Sequence, residues 1–189
     1  MKKRALVPLA EGFEEMEAVI IVDVLRRAGV EVILAGLRGA GPVLGSRDIT
    51  VMAEADLDEA LSQASGQPYD VIVLPGGLGG THAMRDDQRL VDAVSAHAAS
   101  GGLTAALCAA PLVLVRAGLV SSRIITSHPS VRTELSEAGA EVSGRRVVRD
   151  GELLTSQGPG TAMEFALALV SELEGPEAAQ AVAEAMCVN

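Results

Sequence analysis

Cys108 lies in TAALCAAPL, residues 104–112, where a short apolar run meets an alanine pair and a proline. The run reads as a strand, and Pro111 suits the first turn of a helix. The thiol therefore falls where a strand turns into a helix. Unpaired N–H groups and the dipole at a helix N-terminus favour an anion, and such surroundings lower a thiol pKa. The other role open to a free cysteine is that of a small buried hydrophobe. Glu17 is the second group. On a helix it shares a face with Ile20, Ile21 and Val24. An ionised carboxyl on an apolar face is costly, so its pKa should rise. A neutral carboxyl can donate a hydrogen bond to a thiolate, and a raised pKa suits proton transfer near neutral pH. Glu14 and Glu15 better fit the role of first-turn acids favoured by the dipole. His128, in TSHPS, lies at a strand end before Pro129. It can serve a thiol as general base or electrostatic partner, or be a loop imidazole bonded to backbone. His97 falls on an expected solvent face of a helix. His82 follows a glycine loop, where it would border a pocket mouth.

That loop, PGGLGG, follows an apolar run. It matches neither G-x-x-x-x-G-K-[ST] nor G-x-G-x-x-G, so a phosphate cradle is poorly supported. Its other use is backbone donation: the N–H groups of Gly77 and Ala109 can form an oxyanion hole. GPGTAMEF reads as a tight turn and helix cap.

These groups need a frame that gathers them. RALVPLA, VEVILAG, DVIVLPGG, LTAAL and RIITSH read as strands. EEMEAVIIVDVLRRAG, QRLVDAVSAHAASGG, APLVLVRAGLV, GTAMEFALALVSELEG and PEAAQAVAEAMCVN read as helices. VVRDGELLTS reads as a hairpin around Asp150-Gly151, and residues 38–60 should hold a second, small hairpin. Alternation of strands with helices predicts an α/β fold with a mostly parallel sheet covered on both faces. Sites in such sheets gather beyond the carboxyl ends of strands. Four of those ends, AEGFEEME, PGGLGG, CAAP and SHPS, are polar or glycine-rich.

Composition narrows the function classes. A chain of 189 residues, 49% hydrophobic and 21% charged, suits one domain spanning residues 1–189. A net charge of −10 argues against nucleic acid or an anionic membrane as partner. Aromatics at 2%, with no Trp, leave no platform for stacking bases. Two distant cysteines make no disulfide framework, and no Cys/His spacing suggests a metal site. No uncharged apolar stretch reaches the ~18 residues of a membrane span. Lys2, Lys3 and Arg4 imitate a signal n-region, but Glu11, Glu14 and Glu15 follow too soon, which predicts a cytoplasmic protein.

The sequence resembles the ThiJ/PfpI superfamily, specifically its DJ-one branch. The resemblance rests on KRALVPLAEGFEEMEAVIIVDVLRRAGVEV, GSRDITV, YDVIVLPGG, AALCAAP, TSHPS and LLTSQGPGTAMEFAL, in matching order over nearly the whole chain. It implies a flavodoxin-like three-layer α/β/α sandwich and a homodimer. It maps the functional cysteine onto Cys108, the glutamate onto Glu17, the pocket histidine onto His128 and the oxyanion amides onto Gly77 and Ala109. Arg27 and Arg47 correspond to arginines close to the dimer contact and pocket. Where the human-type protein carries further cysteines, Gly45 and Met52 stand here, and Cys187 has no counterpart. Members are credited with glutathione-independent glyoxalase activity, a disputed deglycase activity, oxidant sensing and chaperone action. The partners implied are small reactive aldehydes or glycated groups. Conversion of methylglyoxal to lactate is an internal redox rearrangement, so it calls for no metal, nicotinamide or glutathione. The alternative is a redox sensor or chaperone in which Cys108 is oxidised to the sulfinate and held by a protonated Glu17. A nucleotide-binding module is a third class, predicting ATP or flavin binding.

Overall fold

The computed structural model describes residues 2–64 and 66–188. In chain order it contains β1 (Arg4–Leu9), α1 (Glu15–Arg27), β2 (Glu31–Gly36), β3 (Gly41–Leu44), β4 (Thr50–Ala53), β5 (Ala55–Asp56) and α2 (Leu57–Gln63). Next come β6 (Val71–Leu74), α3 (Leu78–Asp86), α4 (Gln88–Ala99), β7 (Leu103–Leu107), α5 (Pro111–Arg116), β8 (Ile124–Ile125) and α6 (Arg132–Glu137). β9 (Glu141–Val142), β10 (Val147–Asp150), β11 (Leu153–Ser156), α7 (Ala162–Glu174) and α8 (Pro176–Ala185) complete it.

The central sheet has the order β10-β11-β7-β6-β1-β2-β5. Only β10 runs antiparallel, through the hairpin at Asp150-Gly151. The inner strands β1, β6, β7 and β11 are buried at every residue, as a sheet covered on both faces requires. α1, α7 and α8 pack together in one layer, and α2 to α5 pack in the other. This is the flavodoxin-like sandwich. One apolar cluster fills both interfaces, with Phe13, Phe165, Leu6 and Leu107 fully buried. No described helix is long and apolar enough to cross a membrane.

Some elements are shorter than their patterns suggest. RIITSH yields only β8, which pairs with β9 outside the main sheet. Beyond Ile125 the backbone turns to side chains instead: Thr126 N donates to Thr155 Oγ1 at 2.9 Å. The helix from Pro111 stops at Arg116, because Gly118 takes φ +75° and Leu119 N returns to the Leu114 carbonyl at 3.0 Å. His97 does not face solvent as expected. It is half-buried, with Nε2 3.0 Å from the Leu103 carbonyl, and burial holds its pKa below the ordinary value.

Candidate active site

Three strand ends and one helix converge on the thiol. β7 ends at Leu107, and Cys108 turns the chain toward α5 with φ +63°. A non-glycine residue in that region is strained by an order of 1–3 kcal/mol. Two bonds hold it there: Cys108 N donates to the Ser156 carbonyl at 3.0 Å, and His128 N donates to the Cys108 carbonyl at 2.9 Å. The residue keeps 9% of its surface exposed.

α1 delivers Glu17. Its N-cap is Glu14, whose carboxylate accepts from Glu17 N at 2.8 Å. One turn of helix brings the Glu17 side chain inward to the residues that follow β6 and β7, where it is fully buried. Oε2 accepts from Gly76 N at 2.8 Å, and Oε1 is buried with no hydrogen-bond partner among the described residues. Gly76 is indispensable to this meeting. A Cβ there would lie 2.5 Å from Cys108 Cβ and 2.6 Å from Glu17 Oε2. The sequence reading singled out Gly77 and passed over Gly76, although the paired glycines after Pro75 carried the signal. Gly77 has φ +86° and packs its backbone against Gly12 and Phe13, where no side chain fits.

Electrostatics couple the two groups. Burial pushes the Glu17 carboxyl up to about 7, against the Gly76 N–H and the Cys108 thiol, which favour the ionised form. Burial also pushes the Cys108 thiol up to about 12, and the Glu17 charge adds to the rise. The N–H groups of Gly77 and Ala109 act in the other direction. This corrects the expectation of a lowered thiol pKa. The amides are there, but desolvation and a neighbouring carboxylate outweigh them. The pair therefore binds one proton between about 7 and about 12, and the charge of the pair is shared by oxygen and sulfur.

The remaining expected residues stand further off. The His128 ring is exposed; its Nδ1 lies 2.8 Å from Ser130 Oγ and accepts from Ser130 N at 3.3 Å. Its backbone, not its ring, is tied to Cys108. Arg27 pairs with Asp23 at 2.7 Å on the exposed side of α1. Arg47 lies on the exposed β3–β4 turn and bonds the Ser46 carbonyl at 2.9 Å. Glu15, read from sequence as a dipole-favoured acid, is buried. It accepts from Arg47 N at 2.5 Å, Ser46 Oγ at 3.2 Å and Ile49 N at 3.4 Å. A cavity of about 700 Å³ runs from Leu9 and Leu37 to Gly79 and Arg89 and is lined by neither Cys108 nor Glu17. The titratable pair lies apart from it, at Cys108 and Glu17. Among the described residues no group of three or more His, Cys, Asp or Glu is placed to hold a metal ion.

Comparison with known proteins agrees with this fold. The model of the DJ-1/PfpI family matches residues 3–172. "Protein dj-1beta" of Drosophila melanogaster is 47% identical over 188 residues, covering 100% of this chain and 98% of that protein. The Caenorhabditis elegans protein named "Glutathione-independent glyoxalase DJR-1.2" is 35% identical over 188 residues, covering 99% of this chain and 97% of that one. The crystal structure of Drosophila melanogaster DJ-1beta superposes with a TM-score of 0.93 at 45% identity, covering 100% of both chains. Toxoplasma gondii DJ-1, oxidized, superposes at 0.89 and 35% identity, covering 98% of each.

Proposed function

This chain belongs to the DJ-1/PfpI family, and from that premise we propose that it is a cysteine-dependent stress protein that converts methylglyoxal to lactate without glutathione. The observation that carries the reading is a buried carboxyl titrating near 7, with one free oxygen, coupled to a cysteine in a strained turn.

Ionised Glu17 takes the proton of the Cys108 thiol as the sulfur adds to the aldehyde carbon, giving a hemithioacetal. Proton transfer within the pair avoids ever placing two charges in the recess. The Gly77 and Ala109 amides favour the thiolate first and then stabilise the adduct oxygen as it forms next to it. Glu17 passes the thiol proton to the adduct oxygen and is ionised again. It then removes the hydrogen of the former aldehyde carbon as a proton and returns it to the neighbouring carbon, while the hydroxyl proton moves to the neighbouring oxygen. The hemithioacetal becomes the thioester of lactate with no net change in oxidation state. Water cleaves the thioester and restores the thiol. His128 acts at the mouth, where its Nε2 is free to bond a substrate oxygen. A glycated amine presents a similar carbon, so a deglycase activity would use the same residues.

A face of α1 and the β3–β4 hairpin supports the homodimer. Met16, Val19, Leu44, Ile49 and Met52 are all 46–60% exposed there. Burying these side chains against a second copy would remove their apolar surface from water.

Purified protein given methylglyoxal should form lactate. Cys108→Ser should abolish the activity, and wild-type turnover no greater than that of Cys108→Ser would sink the enzyme reading. A second reading is favoured by the neutral form of Glu17: with peroxide as oxidant, Cys108 passes through the sulfenic acid to the sulfinate, which Glu17 can hold by donating a hydrogen bond. Intact mass after mild peroxide reads that outcome separately.

A further inference from the structure

Something must hold Cys108 at φ +63°, and the bonds that do so lead away from the recess. The Cys108 N–H is held by the carbonyl of Ser156, the last residue of β11. That bond is the last of the β7–β11 ladder; beyond Ser156 the chain leaves the sheet, and the loop that follows has no ladder bonds. A single side chain replaces them. Thr161 Oγ1 accepts from Gln157 N at 3.2 Å and from Gly158 N at 3.1 Å. It lies 2.9 Å from the Gly158 carbonyl and 2.7 Å from Ser156 Oγ. Ser156 Oγ donates its own proton to the Arg146 carbonyl at 2.8 Å, so what it can receive from Thr161 is a donated proton. Ser156 is fully buried and Thr161 is 5% exposed, so water does not substitute for these bonds. The same loop borders the imidazole: a Cβ on Gly158 would lie 3.7 Å from His128 Cδ2.

We propose that Thr161 is a positioning residue for the nucleophile: its hydroxyl fixes the Ser156–Gly158 loop, which holds the Cys108 backbone in its left-handed turn. The role is indirect, since Thr161 makes no contact with the sulfur. Its consequence is electrostatic. The direction of the Ala109 N–H is set by the backbone of the preceding residue. Relaxation of Cys108 toward ordinary φ turns that amide away from the sulfur. The thiolate then loses one of its two donors. This inference rests on the thiol chemistry proposed above, but it is read out without any turnover.

The test compares full-length wild type with Thr161→Val, which keeps the shape and removes the hydroxyl, and with Thr161→Ser, which keeps it. Alkylation of Cys108 by iodoacetamide is followed at its own peptide, beside kcat and KM for methylglyoxal and the melting temperature. Thr161→Val should slow alkylation by ~10-fold or more and lower kcat similarly with KM unchanged, as displacement of a reacting group from a distance does. Thr161→Ser should restore both to within about twofold of wild type. If Thr161→Val lowers only the melting temperature and alkylates at the wild-type rate, the hydroxyl is structural and the proposal fails. Should Thr161→Val not fold, Ser156→Ala decides. That variant keeps the carbonyl that holds Cys108 but loses the side-chain tie, and alkylation at the wild-type rate would overturn the proposal. If wild type makes no lactate, the glyoxalase reading falls while the alkylation arm still judges Thr161.

Discussion

The first turn of α1 buries two carboxyls two residues apart, and their pKa values end shifted in opposite directions. Glu15 is 4% exposed and Glu17 is fully buried, so desolvation works to raise both. Two residues along a helix turn the side chain through roughly 200°, so they enter different surroundings. Glu15 meets the β3–β4 turn, where the N–H groups of Arg47 and Ile49 and the Ser46 hydroxyl overcome burial and hold it below its ordinary value. Glu17 meets the strand ends, where the Gly76 N–H and the Cys108 thiol do not offset burial, and it rises to about 7. Burial alone therefore does not decide whether a carboxyl is charged; the number of donors that follow it inside does. One acid clamps a turn, and the other is the proton carrier proposed above.

The largest expected effect separates the two by activity. Glu17→Gln should lower kcat for methylglyoxal by ~10²–10⁴-fold, the usual worth of a general acid–base group. Glu15→Gln should leave kcat within about threefold of wild type in the same lactate assay. Equal losses would erase the distinction.

Stability against pH gives the next contrast. The Glu17 carboxyl keeps its proton in the folded protein up to about 7, whereas the unfolded chain releases it near 4.5. Stability therefore falls as pH rises across that window and is level above it, a total cost of roughly 3 kcal/mol. Glu15 runs the other way. Its lowered folded pKa contributes stability above the unfolded value, and that contribution disappears as pH falls through the folded one. Urea midpoints should show the gap between Glu17→Gln and wild type widening from pH 4.5 to about 7. A constant gap would mean that Glu17 is ionised in the fold.

The smallest effect belongs to the clamp. Glu15→Ala leaves two N–H groups and a hydroxyl without their acceptor, which should cost about 2 kcal/mol. Amide hydrogen exchange should quicken at Arg47 and Ile49 while Cys108 alkylation stays unchanged. Slowed alkylation would tie the turn to the recess instead.

The frame was legible because apolar runs and helix-like segments alternate without ambiguity, and because glycines close the helices at Gly29 and Gly175. Cys108 and Glu17 were legible too, one from a strand-to-helix junction and the other from an acid on an apolar face. What sequence could not show was the sum of forces on the thiol. The helix start promised a lowered pKa, but the depth of the recess and the approach of Glu17 depend on a contact between chain segments 91 residues apart (108 − 17). Gly76 was missed for a similar reason, since the need for a missing Cβ appears only when both neighbours are in place. Thr161 looked like a cap because its partners lie close in sequence, while its effect on Cys108 passes through the sheet register that sets Ser156 beside Leu107.

The pH dependence of Cys108 alkylation tests the coupled pair most directly. Iodoacetamide is applied from about pH 5 to about pH 10, and the rate is read at the Cys108 peptide so that exposed Cys187 does not contribute. If Glu17 and Cys108 share one proton, the rate climbs to about 7 and then levels, and Glu17→Gln removes the break. A wild-type rate that climbs straight through 7 toward the range of an isolated thiol, with Glu17→Gln superimposed on it, would contradict the account.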